Sequence, residues 1–209
     1  GAPRCSAPAT ILPVNGLSMM TDKASPSALP VRRILSVWLS RLALDRWRLA
    51  EGCAPGEGAD AAPVVLITDT AHGPRIDAAN RAAREAGARG GMRLADARAL
   101  CPHIRAVPTD PAGDRDALEK LALWAQRWGP WSALDPPDGL LVDVTAVAHL
   151  FGGEARLLAD VQAAFAGRGL AARCAIAPTA GAAWALAHYG PERAVMGPDG
   201  DWARPLTDL

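Results

Sequence analysis

The chain has 209 residues, enough for one sizeable domain with a buried core. Half of the residues are hydrophobic and 21% are charged, a balance that excludes global disorder. The 22 basic and 22 acidic residues cancel, which excludes a uniformly basic nucleic-acid binder but allows a locally basic surface. No uncharged apolar run approaches the roughly 20 residues that cross a bilayer, so no membrane association is expected.

The four cysteines lie dozens of residues apart and form neither a Cys-x-x-Cys motif nor a cluster with histidine; they are Cys5, Cys53, Cys101 and Cys174. This spacing predicts neither a zinc site nor a disulfide framework. Buried or incidental thiols in a reducing compartment are expected, and with them a cytoplasmic location.

Short apolar runs alternate along the chain with segments of helical period. The first 30 residues, rich in proline and serine, are predicted to be a flexible leader. Strands are predicted at 34–39, 64–67, 75–77, 104–107, 131–134, 140–144, 171–177 and 193–196. Helices are predicted at 40–49, 78–86, 94–100, 110–129, 154–166 and 179–188. The pattern predicts an α/β (α+β) fold in which helices pack on a mixed sheet.

Charge is segregated even though it sums to zero. Residues 75–105 hold seven arginines against three carboxylates, whereas residues 132–160 hold five carboxylates against one arginine. A basic module beside an acidic sheet end is typical of a polyphosphate or nucleic-acid site with a metal-binding centre. Solvated helix faces in an arginine-rich chain would give the same pattern, because the sequence has twenty arginines and two lysines.

Three stretches, taken together, point to a family. Residues 75–97 combine a strand, Ala-Ala-Asn, an arginine-bearing helix, Gly-x-x-Gly-Gly-Met and a short helix. The second stretch is Asp138-Gly-Leu-Leu-Val-Asp143, and the third is His149-Leu-Phe-Gly-Gly-Glu154 followed by residues 175–179. From about residue 32 to 196 the chain resembles Y-family translesion DNA polymerases, specifically their ImuB-type, UmuC-like branch.

The resemblance implies a ferredoxin-like palm with a small fingers subdomain. Residues 31–63 would form the first part of the palm, 64–103 the fingers and 104–209 the second part of the palm. The family's thumb, its little finger and any peptide that docks on the sliding clamp are expected beyond Leu209. DNA binding by this chain is therefore expected to be weak, with Kd near the non-specific range of about 10⁻⁴–10⁻⁶ M.

The catalytic positions of the family are mostly lost. Polymerisation needs two Mg²⁺ about 4 Å apart, held by several converging carboxylates. Trp38 stands where the resemblance puts the first aspartate, and Gly139 stands in place of the glutamate. Only Asp138 remains, as a vestigial palm acid, so neither a catalytic residue nor a metal ligand set is expected. Trp38 lies in an apolar run and is expected to pack in the core.

The nucleotide clamp is also incomplete. The resemblance implies Tyr-x-x-Arg on the fingers helix, where this chain has Arg81-x-x-Arg84. Arg84 matches the arginine, and Arg81 replaces the tyrosine. Both residues are candidate contacts for DNA or nucleotide, and surface arginine is the alternative for each.

Three functional hypotheses remain open. The first is a catalytically inactive adaptor for DNA repair, translesion synthesis and SOS mutagenesis, with DNA, an error-prone polymerase, accessory mutagenesis proteins and the sliding clamp as partners and no cofactor. The second is an active DNA polymerase that uses Mg²⁺ on relocated ligands such as Asp135, Asp138 and Asp143. The third is a plain α/β protein-interaction domain.

Overall fold

A computed structural model describes residues 31–52 and 62–197. The predicted leader at residues 1–30 lies outside the described residues, as do 53–61 and 198–209. No helix in the described ranges is long and apolar enough to span a membrane.

A five-stranded mixed sheet forms the larger layer. Its strands are β1 (Ile34–Trp38), β5 (Trp131–Asp135), β6 (Gly139–Asp143), β7 (Arg173–Ala177) and β8 (Arg193–Val195). The order is β5-β6-β1-β7-β8; β1 is central and antiparallel to both of its neighbours, and β8 runs parallel to β7. Because β1 is covered on both faces, its first four residues are buried.

Helices cover this sheet on both faces. They are α1 (Leu42–Ala50), α4 (Pro111–Ala125), α5 (Glu154–Ala166) and α6 (Ala180–Tyr189). Helices α4 and α5 build the main core with the face that carries Leu35, Val37 and Leu140. Helix α6 packs its small residues against the opposite face of β1 and β7, in a second cluster that includes Ala183.

The strands of a smaller sheet lie between β1 and β5 in the sequence. Its strands are β2 (Val64–Thr68), β3 (Arg75–Ala79) and β4 (Arg105–Pro108), in the order β3-β2-β4. Two short helices, α2 (Arg81–Glu85) and α3 (Leu94–Leu100), pack on it around a core of its own. The two sheets therefore bury separate apolar clusters.

The predicted α/β fold with mixed sheets is confirmed; two local predictions need correction, and one short element was not predicted. The helix predicted at 78–86 begins at Arg81, because β3 continues to Ala79 and the Asn80 side chain caps the helix by accepting from the Ala83 N–H. The helix predicted at 110–129 ends at Ala125. A short 3-10 helix at Ala148–Phe151 has no counterpart among the predicted elements.

Candidate functional site

The site is built at one end of the large sheet, where four residues form a row. Trp38 on β1 is paired with Gly139 on β6 and with Arg173 on β7, and Gly139 is paired in turn with Asp135 on β5. Residues directly opposite on neighbouring strands point to the same face. The tight turn between β5 and β6 adds Asp138 beside this row. The sheet register and the turn thus bring Trp38, Gly139 and Asp138 together.

Trp38 lies directly against the carboxylate of Asp138. Its indole Nε1–H donates a hydrogen bond of 3.1 Å to Asp138 Oδ2. Burial raises the pKa of the Asp138 carboxyl above its ordinary value; the Trp38 hydrogen bond and the nearby His188 act in the opposite direction, and Asp135 adds to the rise. The carboxylate is thus engaged by a neutral donor and sits where negative charge is disfavoured.

The space beside Gly139 is taken as well. A Cβ added at Gly139 would lie 2.8 Å from the backbone oxygen of Asp135 and 2.8 Å from its Oδ2. Any side chain here would therefore require the end of the β5–β6 hairpin to move. Glycine at this position lets Asp135 approach closely and leaves no vacant space for a larger side chain.

Asp143 does not join this group. It ends β6, four residues beyond Gly139 and so about 14 Å along an extended strand. Its carboxylate accepts hydrogen bonds from the Thr145 hydroxyl at 2.6 Å and from Arg32 Nε at 3.2 Å. Although desolvation acts to raise it, the pKa of Asp143 is lowered by these partners. In the part of the chain that the structure describes, no three His, Cys, Asp or Glu side chains are grouped so as to hold a metal ion.

A cleft of about 650 Å³ opens between the two sheets. Its charged lining comes from both sides and comprises Arg41, Asp77, Asp114, Arg115 and Asp138. Both arginines face carboxylates of their own helices, since Arg41 lies 3.8 Å from Asp45 and Arg115 lies 3.2 Å from Glu119. The cleft therefore offers a triphosphate more carboxylate than uncommitted positive charge.

The indole of Trp38 packs against the apolar cluster under α6, in line with the expectation of core packing, and it also begins a stack of rings. Trp38 is partly exposed and stacks on His188, with ring centroids 4.3 Å apart and planes 21° apart. His188 stacks in turn on Trp184 at 4.1 Å and 27°. The Arg173 guanidinium lies 5.6 Å from the centre of the Trp38 ring. Trp38 is thus the inner end of an aromatic stack.

The two arginines of the fingers motif lie elsewhere. Both are exposed on α2 and neither lines the cleft beside Asp138. Arg81 pairs with Glu85 at 2.8 Å. Among the described residues, none forms a hydrogen bond or ion pair with the side chain of Arg84. The structure therefore leaves Arg84 available and does not bring it to the vestigial acid.

The Phe-Gly-Gly-Glu segment has a structural role. Gly152 and Gly153 adopt φ of +79° and +112°, backbone that favours glycine, and turn the chain from the 3-10 helix into α5. This turn places Glu154 against Arg33, which is only 8% exposed and donates to both carboxylate oxygens at 2.5 and 2.7 Å. The same guanidinium donates to the Met196 carbonyl. The segment thus ties β1, α5 and the end of β8 together.

Comparisons with known proteins agree with this architecture. The profile of the impB/mucB/samB family matches residues 59–188. The chain belongs to this family. Over 119 residues it is 50% identical to Protein ImuB from two strains of Caulobacter vibrioides, a match that covers 57% of this chain and 26% of each relative. The chain spans about a quarter of the length of the curated relatives it matches.

Solved structures share the fold of the family's palm and fingers. A post-insertion binary complex of Dbh DNA polymerase matches with a TM-score of 0.68 and 16% identity, over 80% of this chain and 49% of that one. DinB from Sulfolobus solfataricus matches with a TM-score of 0.63 and 15% identity over the same shares of the two chains. The predicted Y-family-type, ImuB-like domain is thereby confirmed at the level of family and fold.

Sequence reasoning missed two features of the site. The first is the ring stack, whose only signal in the sequence is the i, i+4 spacing of Trp184 and His188 in α6. The second is the approach of Asp135 to Gly139, which depends on the geometry of the hairpin. Both arise from contacts between segments that are distant in sequence or from turn geometry.

Proposed function

We propose that this chain is a catalytically silent Y-family polymerase domain that serves as an adaptor for DNA in damage-induced mutagenesis. The observation that carries the proposal is the hydrogen bond from Trp38 to Asp138 at the position of the lost ligand. Two-metal phosphoryl transfer needs converging carboxylates to offset four positive charges. Asp138 alone, with a neutral indole on one side and a glycine on the other, does not fit a pair of Mg²⁺ ions.

The alternative of an active polymerase with relocated ligands is weaker. It requires Asp135, Asp138 and Asp143 to converge, whereas Asp143 lies at the far end of β6 and is engaged by Arg32 and Thr145. Asp135 and Asp138 remain near each other, but two carboxylates of one turn offer too few ligands for two octahedral ions.

A metal titration tests this part of the proposal. Mn²⁺ binding is followed by electron paramagnetic resonance for the wild-type chain and for Asp138→Asn. We expect the same weak binding, in the millimolar range or weaker, for both. Two Mn²⁺ ions bound more tightly by the wild type and lost in the variant would overturn the proposed loss of the metal site.

DNA is the proposed partner of the basic module. The solved proteins that share the fold are DNA polymerases by name. On the small sheet's helices and turns, the guanidinium groups of Arg84, Arg93 and Arg98 are exposed and engaged by no other described residue. Phosphate contacts made by such groups release counterions, so the affinity for DNA should fall as salt rises.

A salt titration of DNA binding separates an adaptor for DNA from a plain protein-interaction domain. For the wild type we expect log affinity to fall with log salt, with a slope of about −2 to −3 if the three arginines each neutralise a phosphate. Arg84→Gln should reduce the slope by about 1. Arg168→Gln is the matched control, because Arg168 follows α5, outside the small sheet and its helices, and its guanidinium lies 4.0 Å from the centre of the Trp124 ring. A flat salt dependence of the wild type would refute the DNA-binding part.

The remaining partners follow from the ImuB likeness. We propose that the adaptor links an error-prone polymerase and accessory mutagenesis proteins to DNA. Other parts of the full protein would contact a sliding clamp. The proposed location is the cytoplasm. Co-purification of full-length protein with each candidate polymerase, before and after DNA damage, tests the linkage. Absence of any such complex would contradict the adaptor role.

A further inference from the structure

The aromatic stack at the vestigial site continues to the protein surface. We define the aromatic ladder as Trp38, His188, Trp184 and Tyr189. Trp184 is 37% exposed and Tyr189 is 81% exposed, and the two rings meet edge to face with centroids 5.9 Å apart. The inner end of the ladder is fixed by Asp138, whereas its outer end is open to solvent.

Helix α6 packs on the sheet through residues other than the outer rings. The helix packs against the sheet through Ala183, Leu186 and Ala187, all of them buried, while Trp184 and Tyr189 lie outside that contact. Large exposed aromatic residues on a helix that is already packed mark a binding surface. The rings line none of three clefts among the described residues, those beside Asp138, Asp143 and Gln162, and they lie on an open surface.

The inner rings of the ladder are held in place. His188 Nδ1 lies 2.9 Å from the Trp184 carbonyl oxygen, and a carbonyl oxygen only accepts, so Nδ1 carries the hydrogen and donates it. Trp38 donates to Asp138, and the Arg173 guanidinium lies beside its ring. Trp184 stacks on this fixed pair, so its ring face is set before any ligand arrives, which lowers the entropy cost of stacking on it.

We propose that the outer end of the aromatic ladder stacks unpaired bases of single-stranded DNA; this inference rests on the proposed function as a DNA adaptor. Every base has a flat π-face, and aromatic platforms bind single strands without sequence preference. The near-parallel rings, whose centroids lie 4.1 and 4.3 Å apart, form a stack that a base continues at its outer end. Carboxylates lie at the inner end, in Asp138 and Asp135, and repel phosphate, which directs the strand to Trp184 and Tyr189.

Charge contributes little at the outer end of the ladder. Arg173 reaches the C-terminal end of α6 but donates to the Gly190 carbonyl, and Arg193 on β8 is paired with Cys174 and so points to the opposite face of the sheet, toward α5. The neighbouring Glu192 is exposed and adds negative charge. Stacking therefore supplies the larger share of the binding, and the expected contact is less sensitive to salt than the arginines on the small sheet.

The test measures binding of a labelled oligothymidylate by fluorescence anisotropy at low salt. Tyr189→Ala and Trp184→Ala are each expected to weaken binding about 5- to 150-fold, the loss of one stacked base. Tyr189→Phe keeps the ring and should bind like the wild type. Trp131→Ala is the matched control, since Trp131 is 76% exposed at the far end of the same sheet and should be neutral.

Each outcome bears on a different claim. Wild-type binding that responds to salt but not to the alanine variants would overturn the ladder and leave the proposed function standing. If the wild type does not bind DNA, the proposed function itself is refuted. An equal loss for duplex and single-stranded DNA would refute stacking on unpaired bases, and so would an equal loss in Tyr189→Phe. Circular dichroism of each variant checks that α6 remains folded.

Discussion

Replacing Gly139 by alanine probes whether the place of the missing glutamate has been filled. The added Cβ would meet the backbone oxygen and Oδ2 of Asp135 at 2.8 Å and its Cβ at 3.0 Å. The side-chain oxygen can rotate away, but the backbone oxygen cannot recede easily, because Asp135 and Gly139 are the last paired residues of the β5–β6 hairpin. The substitution therefore strains the backbone itself.

The expected cost follows from two opposing effects. Overpacking against fixed atoms costs about 1–3 kcal/mol. Alanine also restricts the unfolded chain relative to glycine, which returns about 0.4–1 kcal/mol. We expect Gly139→Ala to lower the free energy of unfolding by about 1–2 kcal/mol, measured by urea denaturation with an unchanged m-value.

Gly181→Ala is the matched control. Nothing lies within 4 Å of a Cβ added there, and the residue is inside α6, where alanine favours the helix by about 0.5–1 kcal/mol. The control should therefore raise stability. A Gly139→Ala variant as stable as wild type, beside a stabilised control, would mean that the hairpin yields and that the glutamate position is still available.

Two further predictions concern charge. Glu154→Gln should lower the free energy of unfolding by about 2–3 kcal/mol, since it leaves the buried Arg33 without its anion. The expected loss is smaller than for a fully buried ion pair because the Glu154 side chain is 23% exposed. Glu85→Gln, which breaks an exposed pair with Arg81, should change the same quantity by less than about 0.5 kcal/mol; equal effects would refute the argument. The raised pKa of Asp138 means that the folded state binds its proton more tightly, so stability falls as pH rises from the ordinary aspartate pKa through the raised one. Asp138→Asn should remove that part of the pH dependence while keeping an acceptor for Trp38; an unchanged dependence of the urea midpoint on pH would contradict it.

The sequence was sufficient for the order of the elements. Apolar runs such as Val64–Ile67 predict strands because their burial on two faces leaves a continuous signal. The pairing of Trp38 with Gly139, 101 positions apart, was predicted only through the resemblance to a known family. Local propensity carries no information on such distant pairs.

The features that the sequence did not predict depend on the directions that side chains take in the folded protein. The contact of Trp38 with His188 requires α6 to cover β7 and β1 with a particular rotation about its axis. Likewise, the helix predicted from Ala78 yields to the β2–β3 pairing, because Asn80 binds both the Val64 N–H and the Ala83 N–H. In each case a long-range contact overrides or completes a local preference.

Primer extension by the purified chain, and by full-length protein, tests the central claim most directly. The claim is that this polymerase fold has lost its metal site to an indole and a closely packed turn. With a primed template, all four deoxynucleotides and either Mg²⁺ or Mn²⁺, the account predicts no extension above background, for the wild type and for Asp138→Asn alike. Template-directed incorporation by the wild type that disappears in Asp138→Asn would contradict it.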